Sequence, residues 1–376
     1  MTICTAVHIV NNLSNMGQGS KSLFKNRYFW LIMIVVLLFL ATIYFEHGFF
    51  SQPKISSLQN FAQIKSAQTP LVPPPQLDFA AYDKKLNLIA NNPVAATSTA
   101  STTKPTLWPV KTVYPNYGAL VPFNRIVAYY GNLYSSGMGV LGKYPENQML
   151  DMLSSEVSKW RAADPSTPVI PALHYIAVVA QGGSGKDGMY RARMPDSEID
   201  KVLAEAAKIN GIVFLDIQLG QSNVQTEVPL LEKYLKLPQV HLGIDPEFAM
   251  RRGQTPGTVI GTLDAADINF AANYLSDIVK QNNLPPKILV IHRFTQNMVT
   301  NYQKITPLPE VQIVMDMDGF GGQANKLNTY KQYIYKQPVQ FTGFKLFYKN
   351  DIVNGPMLTP EQILKLTPIP VYIQYQ

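Results

Sequence analysis

From Arg125 to the last residue, eight short apolar runs alternate with amphipathic stretches. The runs cover 126–130, 169–179, 212–218, 240–245, 288–293, 311–318, 343–348 and 371–375. Most are rich in Val and Ile and apolar at successive positions, the pattern of a strand covered on both faces and therefore of a parallel sheet. Between them, 145–163 places Met149, Leu150, Leu153 and Val157 on one helical face. The stretch 196–209 does so with Ile199, Val202, Leu203 and Ala206, and 264–279 with Ile268, Ala271, Ala272, Leu275 and Ile278. Shorter helices are expected over 227–235, 296–304 and 323–336, and Thr359-Pro360-Glu361-Gln362 reads as a helix start with a capping box. Eight strands and seven helices fit an α/β fold of the (β/α)8 TIM-barrel type, lacking the last helix. An open doubly wound sheet is the alternative, but no dinucleotide or phosphate fingerprint accompanies it. The segment 181–188 (QGGSGKDG) fails the phosphate-loop spacing and reads as a loop over the active face.

In such a barrel the chemistry sits at the carboxyl ends of the strands. The polar residues there are Tyr130, His174, Tyr175, Asp216, Gln218, Asp245, Glu247, His292, Arg293, Asp316, Asp318, Lys345, Tyr348 and Gln374. Strands three, four and six each end in carboxylates within otherwise apolar segments. Pro246 has no N–H for a ladder, so pairing is expected to stop there and lift Glu247 to the rim. Carboxyls on neighbouring strand ends can reach the separations of about 5–9 Å used by glycosidases. Crowding makes it hard for all of them to ionise, so at least one should hold its proton. Glu247 is the expected general acid. Asp245, Asp318 or Asp216 would be nucleophile, base or charge stabiliser, and the remaining polar residues would bind substrate. Salt bridges and loop caps are the non-catalytic alternative for each acid.

Gly243-Ile244-Asp245-Pro246-Glu247 resembles the end of the strand-four motif of chitinase-like (family 18) glycoside hydrolases, and Met315-Asp316-Met317-Asp318 is loosely similar to that family's strand-six motif. The resemblance implies a carbohydrate-active barrel with Glu247 as acid. Gly243 stands where the family has the middle Asp of its motif, and Asp316 replaces its Tyr. A metal-dependent hydrolase is the enzymatic alternative, since His174, Asp216, His292 and Asp316 could meet one ion. Metal barrels of the amidohydrolase type begin with His-x-His, which the first strand does not have. No metal or other cofactor is expected. A non-catalytic barrel binding envelope polymer or a protein partner is the third reading.

The N-terminal third differs. Residues 28–45 (YFWLIMIVVLLFLATIYF) carry no charge, follow Lys21, Lys25 and Arg27, and are long enough to cross a bilayer. The expected layout is a cytoplasmic tail over 1–27, a transmembrane helix over 28–45 in contact with lipid, a Pro/Ser/Thr-rich stalk over 46–120 with one helix near 77–90, and the barrel over 121–376. That stalk helix is the candidate to cover the gap left by the missing last helix of the barrel. The localisation expected is a cell membrane, with the C-terminal domain extracytoplasmic and facing glycan or cell-envelope polysaccharide. The only cysteine is Cys4, so the exported part has neither disulfide nor thiol chemistry. The net charge of +7 is spread without a dense basic run, which argues against nucleic acid.

Overall fold

The computed structural model describes residues 76–93 and 106–376. The expected membrane helix at 28–45 and most of the stalk lie outside them. Among the described residues no helix is long and apolar enough to cross a membrane.

Eight parallel strands close into a barrel. They are β1 (Arg125–Gly131), β2 (Val169–Ala180), β3 (Ile212–Gly220), β4 (Val240–Ala249), β5 (Lys287–Arg293), β6 (Val311–Met317), β7 (Phe341–Leu346) and β8 (Tyr372–Tyr375). Each pairs with its sequence neighbours, and β1 completes the cylinder by pairing with both β8 and β2. A short antiparallel arm, Arg191–Arg193, folds back on the end of β2.

The sequence of each strand sorts by a period of two. Outward residues such as Val127, Leu173, Val213, Leu242, Leu289 and Ile313 meet the surrounding helices in one continuous core. That core takes the buried faces of α2 (Glu146–Ala163), α3 (Asp196–Ala207) and α4 (Ala265–Asn282). The residues picked out by helical spacing are buried, except that Leu203 is only partly covered, and Trp160, Glu156, Glu205 and Val279 are buried beside them. The capping box at Thr359 forms as expected, with its hydroxyl accepting from the Gln362 N–H. Inward residues divide by height. Ile126, Ala128, Ala172, Phe214, Ile288, Val290 and Val314 form an apolar lower plug; above it the interior is polar.

Three expectations are corrected. The helix expected over 296–304 is two single 3-10 turns around the short strand Val299–Thr300, which pairs with Leu263–Asp264. The one expected over 227–235 is broken into short turns, because Pro229 cannot donate within a helix. Over 323–336, α5 (Gln323–Thr329) continues as a π-helix through Tyr330–Tyr335.

The helix expected near 77–90 exists as α1 (Phe79–Ala90), N-capped by Asp78. It does not take the place of an outer helix beside β8. Tyr82, with Leu77, Leu86 and Ile89, packs on the lower plug, so α1 closes the amino-terminal end of the barrel. The Ile369 N–H donates to Ile89 O at 2.7 Å, and the Asn91 side chain donates to Leu366 O at 2.8 Å. Trp108, placed by sequence in the stalk, is buried and donates its indole N–H to Tyr335 O. The packed body therefore starts before residue 121.

Candidate active site

The carboxyl end of the barrel holds a cavity of about 660 Å³. Asp245, Glu247, Asp318, Lys345, Tyr130 and Gln218 supply its polar wall, and Phe248, Phe294, Phe320 and Phe347 its apolar one. Two neighbouring hollows, of about 340 and 900 Å³, carry no acidic side chain.

Strand β4 positions the two acids. Gln218 of β3 is level with Asp245, but Gly220 is level with Ala249. Two residues on β3 are thus opposed by four on β4, an irregularity centred on Pro246 and Glu247. The strand does not stop at Pro246 as expected; it bulges there, which re-aims a side chain as bulges do. Asp245 Oδ1 accepts the Glu247 N–H at 2.9 Å and fixes the turn. Burial, and then the Asp318 charge, push the Glu247 carboxyl up to about 7. Among the described residues no ion pair engages Glu247. Burial also drives Asp245 well above the carboxylate range, aided by Glu247, Asp318 and Asp216 against the opposing pull of His292.

Asp318 has the opposite environment. Lys345 Nζ lies 3.0 Å from its Oδ1 and His292 Nδ1 lies 3.2 Å from its Oδ2. Burial acts to raise this carboxyl, but the Lys345 ammonium and His292 outweigh burial and hold it below the ordinary range.

Beneath the cavity lies a fully buried layer of His174, Asp216, His292 and Asp316. Tyr130 donates to Asp216 Oδ2 at 3.0 Å, and Gln218 donates to the Tyr130 hydroxyl at 3.4 Å. His174 Nε2 and His292 Nε2 approach Asp216 Oδ1 to 3.2 and 3.5 Å. His292 Nδ1 is 3.3 Å from Asp316 Oδ2. Burial alone would raise Asp216; the two imidazoles reverse this and hold it far below the usual range. Asp316 is raised, chiefly by burial. Gln374 is also interior and donates to the Tyr372 hydroxyl at 2.9 Å.

Asp216 therefore does not line the cavity as a nucleophile or base would. His174, His292, Asp316 and Gln374 are fully buried beneath its floor and do not line it, contrary to their expected place as substrate-binding residues. Tyr175, Arg293 and Tyr348 are not in the site. Each is out of phase with an inward neighbour, and a one-residue step along a strand reverses the face. Tyr175 joins the outer core. Arg293 donates to Gln296 O and Val299 O and lies over the Tyr302 ring. The Tyr348 hydroxyl donates to Glu156 of α2, within a group containing Tyr129 and Tyr375. Phe248, Phe294 and Phe347 were not anticipated, though Phe294 and Phe347 directly follow strand ends and Phe248 lies near the end of β4, beyond the bulge. Tyr372 was missed too; sharing Gln374's face was the signal for it.

No protein-family model matches the chain, and no curated protein does. Solved structures similar to it include a cellulase, Cel5C_n, at 14% identity and TM-score 0.34 over 59% of this chain. This chain spans 65% of that cellulase's length. The Bacillus subtilis mannanase BCman is 12% identical with TM-score 0.35, over 68% of this chain and 80% of its own. The YdhT protein from Bacillus subtilis is 12% identical with TM-score 0.36, over 68% and 81%. Likeness at this level bears on neither substrate nor mechanism. The resemblance to chitinase-like enzymes rests on Gly243–Glu247 and Met315–Asp318 alone.

Proposed function

We propose that this barrel is a glycoside hydrolase in which Glu247 is the general acid and Asp318 the ionised partner. One observation carries the reading: a single cavity is lined by two carboxyls whose surroundings drive their protonation apart. Glu247 is half-buried without a cation and keeps its proton near neutrality. Asp318 is anchored to Lys345 and stays charged. Carboxyls tuned in opposite directions are what acid-assisted glycoside cleavage uses: one protonates the leaving oxygen, the other stabilises or attacks the cationic sugar. Asp245, protonated beside them, can donate a hydrogen bond to a sugar hydroxyl. Phe248, Phe294, Phe320 and Phe347 offer flat faces to sugar rings.

The uncharged run at 28–45 and the basic residues before it support a setting at a membrane, with the barrel outside the cytoplasm and cell-envelope polysaccharide as its substrate. The test is turnover of a panel of glycans, including envelope polysaccharide, by the full-length protein and by Glu247→Gln. The substitution should cost at least about 100-fold in kcat, the usual contribution of a general acid. A variant that retains full turnover removes Glu247 from the role.

A further inference from the structure

We propose that His174, Asp216 and His292 form a binding site for one divalent first-row transition ion, placed under the cavity and distinct from the Glu247 and Asp318 pair. The three ligand atoms lie within 4.8 Å of one another, and all three side chains are fully buried. Two of the separations, 3.2 and 3.5 Å, bracket the roughly 3.3 Å between ligands bonded tetrahedrally to one ion at about 2.0–2.1 Å.

These approaches do not have hydrogen-bond geometry. His174 Nε2, His292 Nε2 and Asp216 Oδ1 each have no directional hydrogen-bond partner, although their neighbours are close. Buried polar atoms without partners are costly, and three meeting at one place point to a shared cation.

The surroundings match a metal's outer shell. Metal-binding imidazoles use their second nitrogen on a hydrogen-bonding group that fixes the ring. His174 Nδ1 is 2.5 Å from the Tyr372 hydroxyl; His292 Nδ1 lies 3.3 and 3.2 Å from the Asp316 and Asp318 carboxylates, close enough to orient the ring by charge although neither approach has hydrogen-bond geometry. The second oxygen of Asp216 accepts from Tyr130. Acids also outnumber fixed cations in this layer: of the described lysines and arginines only Lys345 is in ion-pair contact with Asp216, Asp245, Asp316 or Asp318, and the buried Lys326, which also acts on Asp316 and Asp318, is itself paired with Asp351.

Gly243 keeps the space clear. A Cβ there would lie 2.4 Å from His174 Nε2 and 2.5 Å from Asp216 Oδ1. Two imidazoles and one carboxylate suit zinc, iron or a similar ion over calcium or magnesium, which prefer oxygen. Tyr130, a wall of the cavity, packs 5.3 and 5.7 Å from the two imidazole rings. The ion would tie β2, β3 and β5 together and fix the floor on which substrate rests.

The experiment measures metal content of the full-length protein by elemental analysis after dialysis against metal-free buffer. It then follows Co²⁺ and Zn²⁺ addition by visible absorption and thermal unfolding. The expected result is about one ion per chain, ligand-field bands of a low-coordinate Co²⁺ site, and a Tm rise of about 5 °C at saturating Zn²⁺. His174→Gln and His292→Gln should lose both the bands and the rise. Binding that survives in both variants places the ion elsewhere and overturns the proposal. So does a folded wild-type protein that takes up no ion and shows no Tm change; a proton on His292 would then serve the acidic layer. If the variants do not fold, the wild-type stoichiometry and Co²⁺ spectrum still decide.

Discussion

The Lys345 ammonium sits 3.0 Å from Asp318 Oδ1 and 3.9 Å from the centre of the Tyr130 ring. Both charged side chains are almost fully buried, at 3% and 5% exposure. A pair in such a place adds little stability over an apolar pair, but removing one partner strands the other. Lys345→Met should therefore lower unfolding free energy by about 3 kcal/mol. Adding Asp318→Asn should restore most of that loss. Urea unfolding of the two single variants and the double variant checks it, and a double-variant loss equal to the sum of the two single losses would show that the pair is not coupled.

Glu247 links stability to activity with a definite sign. Its folded-state carboxyl is raised from 4.5 to about 7, so between those values the folded chain binds more protons than the unfolded one. Its contribution to stability is complete below about pH 4.5 and is lost as pH rises through about 7. Glu247→Gln should accordingly raise Tm relative to the native residue at pH 8 and leave it little changed at pH 4. Glycoside turnover, which needs the protonated acid, should fall above pH 7 on the same titration. A Tm difference between the two proteins that does not vary with pH would refute this.

Gly243→Ala tests how tightly the buried layer is packed. The added methyl would meet His174 and Asp216 at 2.4 and 2.5 Å, closer than side-chain carbons approach polar atoms. Neither neighbour is a flexible chain end, since Tyr372 holds one and Tyr130 the other. Overpacking of this kind costs about 1–3 kcal/mol. Denaturant unfolding should show that loss with an unchanged slope, and a neutral outcome would mean that the layer is loosely held.

The barrel was legible because each strand had to be apolar on both faces and each helix on one stripe, and both periods survive in the sequence. The acidic strand ends stood out for the same reason: Asp216, Asp245 and Asp318 interrupt apolar runs. What the residues did not disclose is depth. Asp216 and Asp245 are both inward-facing and both acidic, but the stagger of neighbouring strands sets one below the floor and the other in the wall. Phase was legible yet was passed over: Tyr175 and Arg293 were taken with the neighbours His174 and His292, and Tyr348 with Lys345 three positions before it, when only alternate residues face inward. The pairing of His174 and His292 across Asp216 joins strands far apart in sequence, and local pattern contains nothing to announce it.

The destination of α1 was likewise hidden, since an amphipathic stripe states that a helix will be covered and not by what. In the structure Tyr82 is 2% exposed, packs edge-on to Tyr114 and Phe123, and meets the lower plug. Tyr82→Ala should remove about 3 kcal/mol or more of stability, the range for deleting a buried aromatic ring. Because α1 closes the end of the barrel opposite the cavity, turnover well below the new Tm should be unchanged. The measurement is the denaturation midpoint alongside kcat at a fixed low temperature. A midpoint that does not move would mean that α1 is not part of the cooperative unit. A fall in kcat without unfolding would mean that the floor helix and the cavity are coupled through the Phe214–His174 stack, whose rings are 5.2 Å apart.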